Sequence, residues 1–124
     1  MTKLSFVTPP PGLDPLRDFT LEQLEGTGLY ALQAAGDPGK RMFLLDPTVY
    51  VPGYSPELTD SQAAVLGLAS PEEAAVFVIA NHRNGATTVN LLAPIIVNTA
   101  TDICAQFILE GQDWPIQAAL AAHG

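Results

Sequence analysis

The sequence predicts a mainly β protein, a small antiparallel β-barrel-like or sandwich domain of short strands with one or two short helices. Three observations support this prediction. The 124 residues are one domain's worth of chain, and residues 1–124 are expected to form a single domain. Eleven prolines and ten glycines are spread along the chain and divide it into short elements. Hydrophobic residues make up 48% of the sequence, which is enough to build a core.

Alternation of apolar and polar residues predicts four short strands in the first half of the chain. They are residues 3–7, 17–24, 29–33 and 41–45. Residues 36–39, a Gly-Asp-Pro-Gly sequence, are expected to form the turn between the last two of these strands. Residues 48–51 are expected to be a brief extended piece.

Two short helices are predicted next, each from its first residues. Thr59 is a predicted N-cap, and Gln62 can complete a capping box with it. Ser70 is the second predicted N-cap, with Pro71 at the first helical position and Glu73 completing the box.

A β-hairpin is predicted after the helices. The β-prone residues 75–80 lead to Asn84 and Gly85, a pair typical of a type I′ turn, and residues 87–92 return. Pro94 cannot donate a backbone hydrogen bond, so it must lie at an edge, a bulge or a strand start.

The remaining segments complete the predicted sheet. Residues 95–98 and 103–109 are predicted strands, and residues 117–122 are expected to form a frayed terminal helix. The near-continuous apolar runs 74–80 and 91–97 are typical of strands covered on both faces. This pattern favours a small closed barrel.

The charge distribution excludes several classes of partner. The sequence has five Lys and Arg against thirteen Asp and Glu, and Arg83 is the only Lys or Arg after Arg41. Direct binding to nucleic acid or to an anionic membrane surface would require a basic patch. The acidity favours a basic protein partner, or it serves only to keep an apolar domain in solution. No apolar run approaches the ~20 residues of a membrane-spanning helix.

No catalytic residue, cofactor site or metal site is predicted. Cys104 lies among apolar residues and is interpreted as a buried thiol, while His82 and His123 lack a metal-ligand spacing with it. Phosphate-binding loops and nucleophile elbows are absent from the sequence. We therefore expect a binding protein rather than an enzyme. A single cysteine and no visible secretory signal indicate the cytoplasm.

Several segments in order resemble one known family. They are residues 11–13, 29–33, 43–47, 50–54, 88–98, 106–110 and the Trp114-Pro115 step. Together they resemble the flagellar assembly factor FliW family. The resemblance implies a cytoplasmic, non-catalytic barrel-like domain with two partners. One is flagellin, and the other is the carbon storage regulator CsrA, a basic RNA-binding dimer that represses flagellin translation. The resemblance further implies that accumulating flagellin captures the factor and frees CsrA. The free protein is expected to be a monomer without a cofactor.

Four residues are predicted to bind partners: Tyr54, Asn90, Pro94 and Asn98. Asparagine is a poor strand former, so two asparagines around Pro94 require a reason. On a first interpretation, they contact a partner at a sheet edge that Pro94 creates, where a flagellin segment could add as a strand. On a second interpretation, they cap strand ends and bond buried backbone groups. On the first interpretation, Asn98→Asp weakens the complex without unfolding the domain.

Two other functions are compatible with the sequence. A small-ligand-binding β-barrel protein would need an internal cavity. A hydrolase or isomerase would use Cys104 or His82.

Overall fold

The computed structural model describes residues 2–10, 13–24, 28–51, 53–83, 85–109 and 111–119. Eight strands lie within these ranges: β1 Thr2–Phe6, β2 Asp18–Gln23, β3 Leu29–Ala34, β4 Asp37–Leu45, β5 Ala74–Arg83, β6 Ala86–Asn98, β7 Ile103–Gln106 and β8 Ala118–Ala119. The helical elements are α1 Pro47–Tyr50, α2 Asp60–Val65 and a single 3₁₀ turn, Pro71–Glu73.

Seven strands close into a barrel. The order is β5-β4-β3-β2-β1-β7-β6, and β5 also pairs with β6, which completes the circle. β8 pairs with the first half of β6. The prediction of a mainly β protein is confirmed. Of the two predicted architectures, barrel and sandwich, the structure has the barrel. One pairing departs from the antiparallel expectation: β1 and β7 run parallel, with Ser5 opposite Ile103.

The barrel interior is a core of apolar side chains. Leu32, Leu44 and Ile95 are fully buried there, and the rings of Phe6 and Phe19 meet edge to face at 5.1 Å. Successive strand residues point to opposite faces of a sheet. Side chains that fill a small barrel in this way make it a packed core, which does not favour the internal cavity that a small-ligand barrel requires.

Strand β6 is long because it bulges instead of breaking. Phe77 lies opposite Ile95, while Ile79, only two residues further, lies opposite Asn90. Between these two pairs β5 has one residue, Val78, and β6 has four, residues 91–94, so β6 contains three extra residues there. Pro94 was expected at a sheet edge, in a bulge or at a strand start, and it lies in the bulge. We call residues 91–94 the β6 bulge.

The predicted turn at residues 36–39 was placed too late. β3 ends at Ala34 and β4 begins at Asp37, so Ala35 and Gly36 make the turn, with Gly36 at φ +82°. The strand pairing then shifts from Ala34–Asp37 to Gln33–Arg41. A proline such as Pro38 is tolerated in such a bulge because no ladder hydrogen bond is needed there.

The extended piece predicted at residues 48–51 was wrong, because residues 47–50 form α1. Asp46 is its N-cap and accepts hydrogen bonds from the Thr48 backbone N–H at 2.9 Å and the Thr48 hydroxyl at 2.7 Å. Pro47 occupies the first turn, where its missing N–H costs nothing. The cap outweighs the β-propensity of Val49 and Tyr50.

The capping box of α2 is confirmed. The Gln62 N–H donates to Thr59 Oγ1 at 3.1 Å, and the Thr59 N–H donates to Gln62 Oε1 at 3.0 Å. The second predicted helix is only a 3₁₀ turn. The predicted capping box requires the Glu73 carboxylate to accept from the Ser70 N–H. It accepts instead from the N–H of the preceding residue, Ala69, at 2.7 Å.

The end of the described chain is extended. Residues 118–119 form β8, so the predicted terminal helix is wrong at these positions, and residues 120–122 lie outside the described residues. The last predicted strand, residues 103–109, ends at Gln106. Asn84 of the predicted turn also lies outside the described residues, while its partner Gly85 has a φ of +77°.

Candidate partner-binding site

The β6 bulge is bonded on its outer side by the segment that follows β7. The Leu91 N–H donates to the Pro115 carbonyl at 3.0 Å, and the Leu92 carbonyl accepts from the Leu109 N–H at 2.8 Å. The Pro94 carbonyl accepts from the Phe107 N–H at 3.1 Å. A bulge interrupts the regular ladder, so its backbone groups need such partners.

Asn90 bonds the bulge from within its own strand. Its Oδ1 accepts from the Leu92 N–H at 3.1 Å and from the Ala93 N–H at 3.0 Å. The side chain is half-buried. Asparagine side chains commonly bond backbone two or three residues ahead, and here this property stabilises the bulge.

Tyr54 bonds the bulge from the loop after α1. Its hydroxyl donates to the Leu91 carbonyl, and its ring meets the Trp114 ring edge to face at 4.7 Å. Burial raises the pKa of Tyr54 above its ordinary value, so the phenol stays a neutral donor. The Trp114 indole N–H donates to Gln112 Oε1 at 3.2 Å.

Pro94 and Asn98 are both buried. Pro94 lies in the bulge, whereas Asn98 lies at the end of β6 and is 1% exposed. Asn98 Nδ2 donates to the Leu66 carbonyl at 2.8 Å, and its Oδ1 accepts from the Ala100 N–H at 2.9 Å. Asn98 therefore connects the C-cap residue of α2 to the β6–β7 turn.

The structure brings three of the four predicted site residues together. Tyr54, Asn90 and Pro94 shape the β6 bulge, while Asn98 lies apart from them at the end of β6. The contacts of both asparagines agree with the second interpretation, in which they bond backbone. Partner binding by these four residues remains a prediction.

The two candidate reactive groups have unfavourable surroundings. Cys104 is fully buried, and burial raises the pKa of its thiol from 9.0 to about 12, so the nucleophilic thiolate is not formed near neutral pH. His82 is exposed on β5, with Nδ1 2.7 Å from Thr87 Oγ1. Within the described ranges, no three His, Cys, Asp or Glu side chains come together to hold a metal ion.

An apolar groove beside α2 was not predicted from the sequence. It has a volume of about 450 Å³ and lies on the outer face of β5 and β6. Apolar side chains line it, including Leu58, Ala63, Leu68 and Val76. The Glu73 carboxylate lies at its border, because it accepts from the backbone N–H of the lining residue Ala69. The sequence predicted only helix capping for Glu73. We call it the α2 groove.

A family model described as FliW protein matches residues 1–120 of this sequence. The chain belongs to the FliW family. The family resemblance seen in the sequence is thereby confirmed.

Curated FliW relatives and a solved FliW structure are similar to this chain. The flagellar assembly factor FliW of Moorella thermoacetica is 32% identical over 105 residues, 82% of this chain and 66% of the relative. That of Desulfitobacterium hafniense is 36% identical over 91 residues, 72% of this chain and 60% of the relative. A crystal structure of the flagellar assembly factor FliW matches with a TM-score of 0.88 at 28% identity, covering 94% of this chain and 84% of that one. The match to the Moorella relative thus covers less than two thirds of its length.

The helical elements in the part of the chain that the structure describes are short. None of its helices is long and apolar enough to cross a bilayer.

Proposed function

We propose that this protein is a non-enzymatic flagellar assembly factor of the cytoplasm that binds flagellin and antagonises CsrA. Membership of the FliW family over residues 1–120 carries the proposal. The shared barrel, at a TM-score of 0.88 to a FliW crystal structure, supports it. We further propose that residues 1–124 act as a single domain that is a monomer when free.

The mechanism is a pair of linked equilibria. One protein shared by two partners passes from one to the other by mass action, so rising flagellin lowers the share bound to CsrA. If this chain binds away from the RNA surface of CsrA, its effect on RNA binding is a coupling free energy, typically about 1–3 kcal/mol. The net charge of −8 supports a basic partner such as CsrA.

The outer edge of β6 is our proposed flagellin site. β8 pairs with β6 through only two residue pairs, Thr88–Ala119 and Val89–Ala118. An extended flagellin segment would replace β8 and gain the same backbone hydrogen bonds. Tyr54, Asn90 and Pro94 would contribute by holding the adjacent bulge in shape, and Asn98 by positioning the exposed β6–β7 turn.

The test uses purified chain, flagellin and CsrA. We expect the chain to co-elute with each protein in size-exclusion chromatography and to lower RNA binding by CsrA, and we expect added flagellin to restore RNA binding. Asn90→Ala should weaken flagellin binding, while Gln23→Ala, which removes an amide at an exposed position on β2, is the matched control. A chain that binds neither protein at low salt would contradict the proposal.

A further inference from the structure

Strands β4 and β5 pair over only part of their lengths. The pairing covers residues 43–45 of β4 and residues 78–80 of β5. Both strands continue beyond it, β4 back to Asp37 and β5 on to Arg83, and both lie wholly within the described residues. The two strands therefore separate at one end of the barrel. We call residues 39–42 of β4 and residues 81–83 of β5 the β4–β5 fork.

Arg41 directs its backbone hydrogen-bonding groups into this fork. The Asp46 N–H donates to the Gly28 carbonyl at 2.8 Å, so residue 46 bonds toward β3. In an antiparallel strand the bonding side alternates from residue to residue. Residues 43 and 45 accordingly bond to β5, and Arg41 has the same orientation. Because the pairing with β5 ends at residue 43, the N–H and C=O of Arg41 form an open strand edge.

The β5 side of the fork is bonded only to β6. Residues 81–83 pair with residues 86–88 in the hairpin. A continued register would place His82 opposite Arg41, but the β4–β5 pairing does not extend to these two residues. An extended segment could therefore add to β4 here without displacing a strand of the barrel.

The fork is the basic part of an acidic chain. Lys40, Arg41 and Arg83 lie on its two strands and are three of the five Lys and Arg in the sequence. Asp37, at the start of β4, is the only Asp or Glu within strands β3 to β6. Charges farther away than the Debye length, about 8 Å at physiological salt, are largely screened. The local cations therefore act on a bound segment more strongly than the net charge of −8 does.

The Arg41 side chain is exposed and lies against an aromatic ring. Its guanidinium carbon is 5.0 Å from the centroid of the Phe43 ring, a cation–π contact that restricts its orientation. The residue opposite Arg41 on β3 is Gln33, which is uncharged. A strand added at the open edge would place a side chain about 5 Å from that of Arg41 on the same face of the sheet. A carboxylate there would gain a charge-assisted hydrogen bond, whereas a Lys would be repelled.

We propose that the open edge of β4 at the β4–β5 fork binds an extended acidic segment of a partner protein by strand addition. Backbone groups of the segment pair with those of Arg41, and a Glu or Asp lies beside its guanidinium. A second copy of this chain is disfavoured as the occupant, because pairing of two β4 edges would bring Lys40 and Arg41 of both copies together. The inference goes beyond the proposed function, since it concerns another edge of the barrel and requires neither flagellin nor CsrA.

The test uses a short fluorescent peptide in which Glu alternates with Val, and it measures anisotropy at about 0.15 M salt. A peptide with Lys in place of Glu is the charge control. A Glu-Val peptide with N-methylated backbone amides is the control for strand pairing. We expect saturable binding of the Glu-Val peptide only. No saturable binding of this peptide, or equal binding of either control, would overturn the proposal.

Two variants with the same change of charge locate the binding. Arg41→Glu reverses the charge at the fork, while Arg17→Glu reverses it at an exposed position before β2. We expect Arg41→Glu to weaken binding by about tenfold or more, equivalent to about 1.4 kcal/mol. Arg17→Glu should weaken it by less than about twofold. Equal weakening by both variants would mean a response to overall charge only and would overturn the proposal.

Amide hydrogen exchange of the unchanged chain tests the same edge without any substitution. The Arg41 N–H should exchange rapidly in the free protein and slowly when the Glu-Val peptide is bound. Exchange that is unaffected by the bound peptide would overturn the proposal, even if Arg41→Glu weakened binding. Circular dichroism melts of both variants check that each is folded.

Discussion

The β6 bulge and the α2 groove use polar side chains in opposite ways. At the bulge, Asn90 and Tyr54 direct their polar atoms inward to backbone groups of residues 91–93. At the groove, Glu57 and Asp60 remain exposed beside an apolar floor. The bulge polar groups hold the fold together, whereas Glu57 and Asp60 remain in contact with solvent. A polar residue in an unexpected place can therefore indicate either stability or recognition, and its burial separates the two.

The largest effect is expected from Asn98→Asp. A carboxylate cannot donate to the Leu66 carbonyl, and it would be buried beside that oxygen with the Ala100 N–H as its remaining donor. We expect a loss of about 3 kcal/mol of unfolding free energy, measured by urea denaturation. The sequence alone suggested a folded variant with a weaker complex, and a variant as stable as the parent would favour that interpretation.

Asn90→Ala should give the next largest effect. Two N–H groups of the β6 bulge, those of Leu92 and Ala93, lose their acceptor, although water reaches this half-buried position more easily than position 98. We expect a loss of about 1–2 kcal/mol. The exposed Asn81→Ala is the matched control and should change stability by less than about 0.5 kcal/mol in the same titration.

Tyr54→Phe should have a smaller effect, because it removes the hydrogen bond to Leu91 and keeps the ring contact with Trp114. We expect a loss of about 1 kcal/mol. Thermal melts of the variant and of Trp114→Ala distinguish the hydroxyl from the packing, and Trp114→Ala should be the more destabilising. The opposite order would mean that the hydrogen bond, not the ring pair, holds this loop.

Alkaline pH probes the same buried groups. Burial raises the pKa of both the Tyr54 phenol and the Cys104 thiol, so the folded state retains protons that the unfolded state releases. This contribution to stability is complete below pH 9.0 and is lost as the pH rises toward about 12. We expect unfolding free energy to fall over this window. Tyr54→Phe should reduce the fall at its upper end, and an identical profile would contradict the role of Tyr54.

The smallest effect on stability is expected at the groove. Glu57→Gln and Asp60→Asn change exposed side chains and should each alter the unfolding free energy by less than about 0.5 kcal/mol. Denaturation of the double variant is the measurement. A large loss would show that these carboxylates stabilise the fold, and the contrast with the β6 bulge would disappear.

Sequence patterns predicted what depends on neighbouring residues. The Thr59–Gln62 capping box could be predicted because both partners lie within one helical turn. The Asp46-Pro47 start of α1 carried an equally local signal that we missed, because Val49 and Tyr50 favour strands. The turn at Gly36 was predicted too far along the chain, because Pro38 and Gly39 are typical turn residues. In the structure these two residues lie in an irregularity of the β3–β4 pairing.

The remaining features depend on contacts between distant segments. The position of the β6 bulge follows from its register against β5, and the bonds from Pro115 and Leu109 come from a segment of irregular structure. The α2 groove joins Leu58 and Ala63 to Ile96 of β6. These residues are far apart in the sequence, so no local pattern indicated the groove.

The parallel pairing of β1 with β7 affects how this protein can fold during synthesis. Ser5 is synthesised long before Ile103, the residue that pairs with it on the neighbouring strand. β1 to β4 can form a meander early, but the barrel has an open edge until β7 arrives. Closure therefore waits until β7 has been synthesised. A ribosome that stalls before β7 would leave a nascent sheet exposed to pairing with other chains.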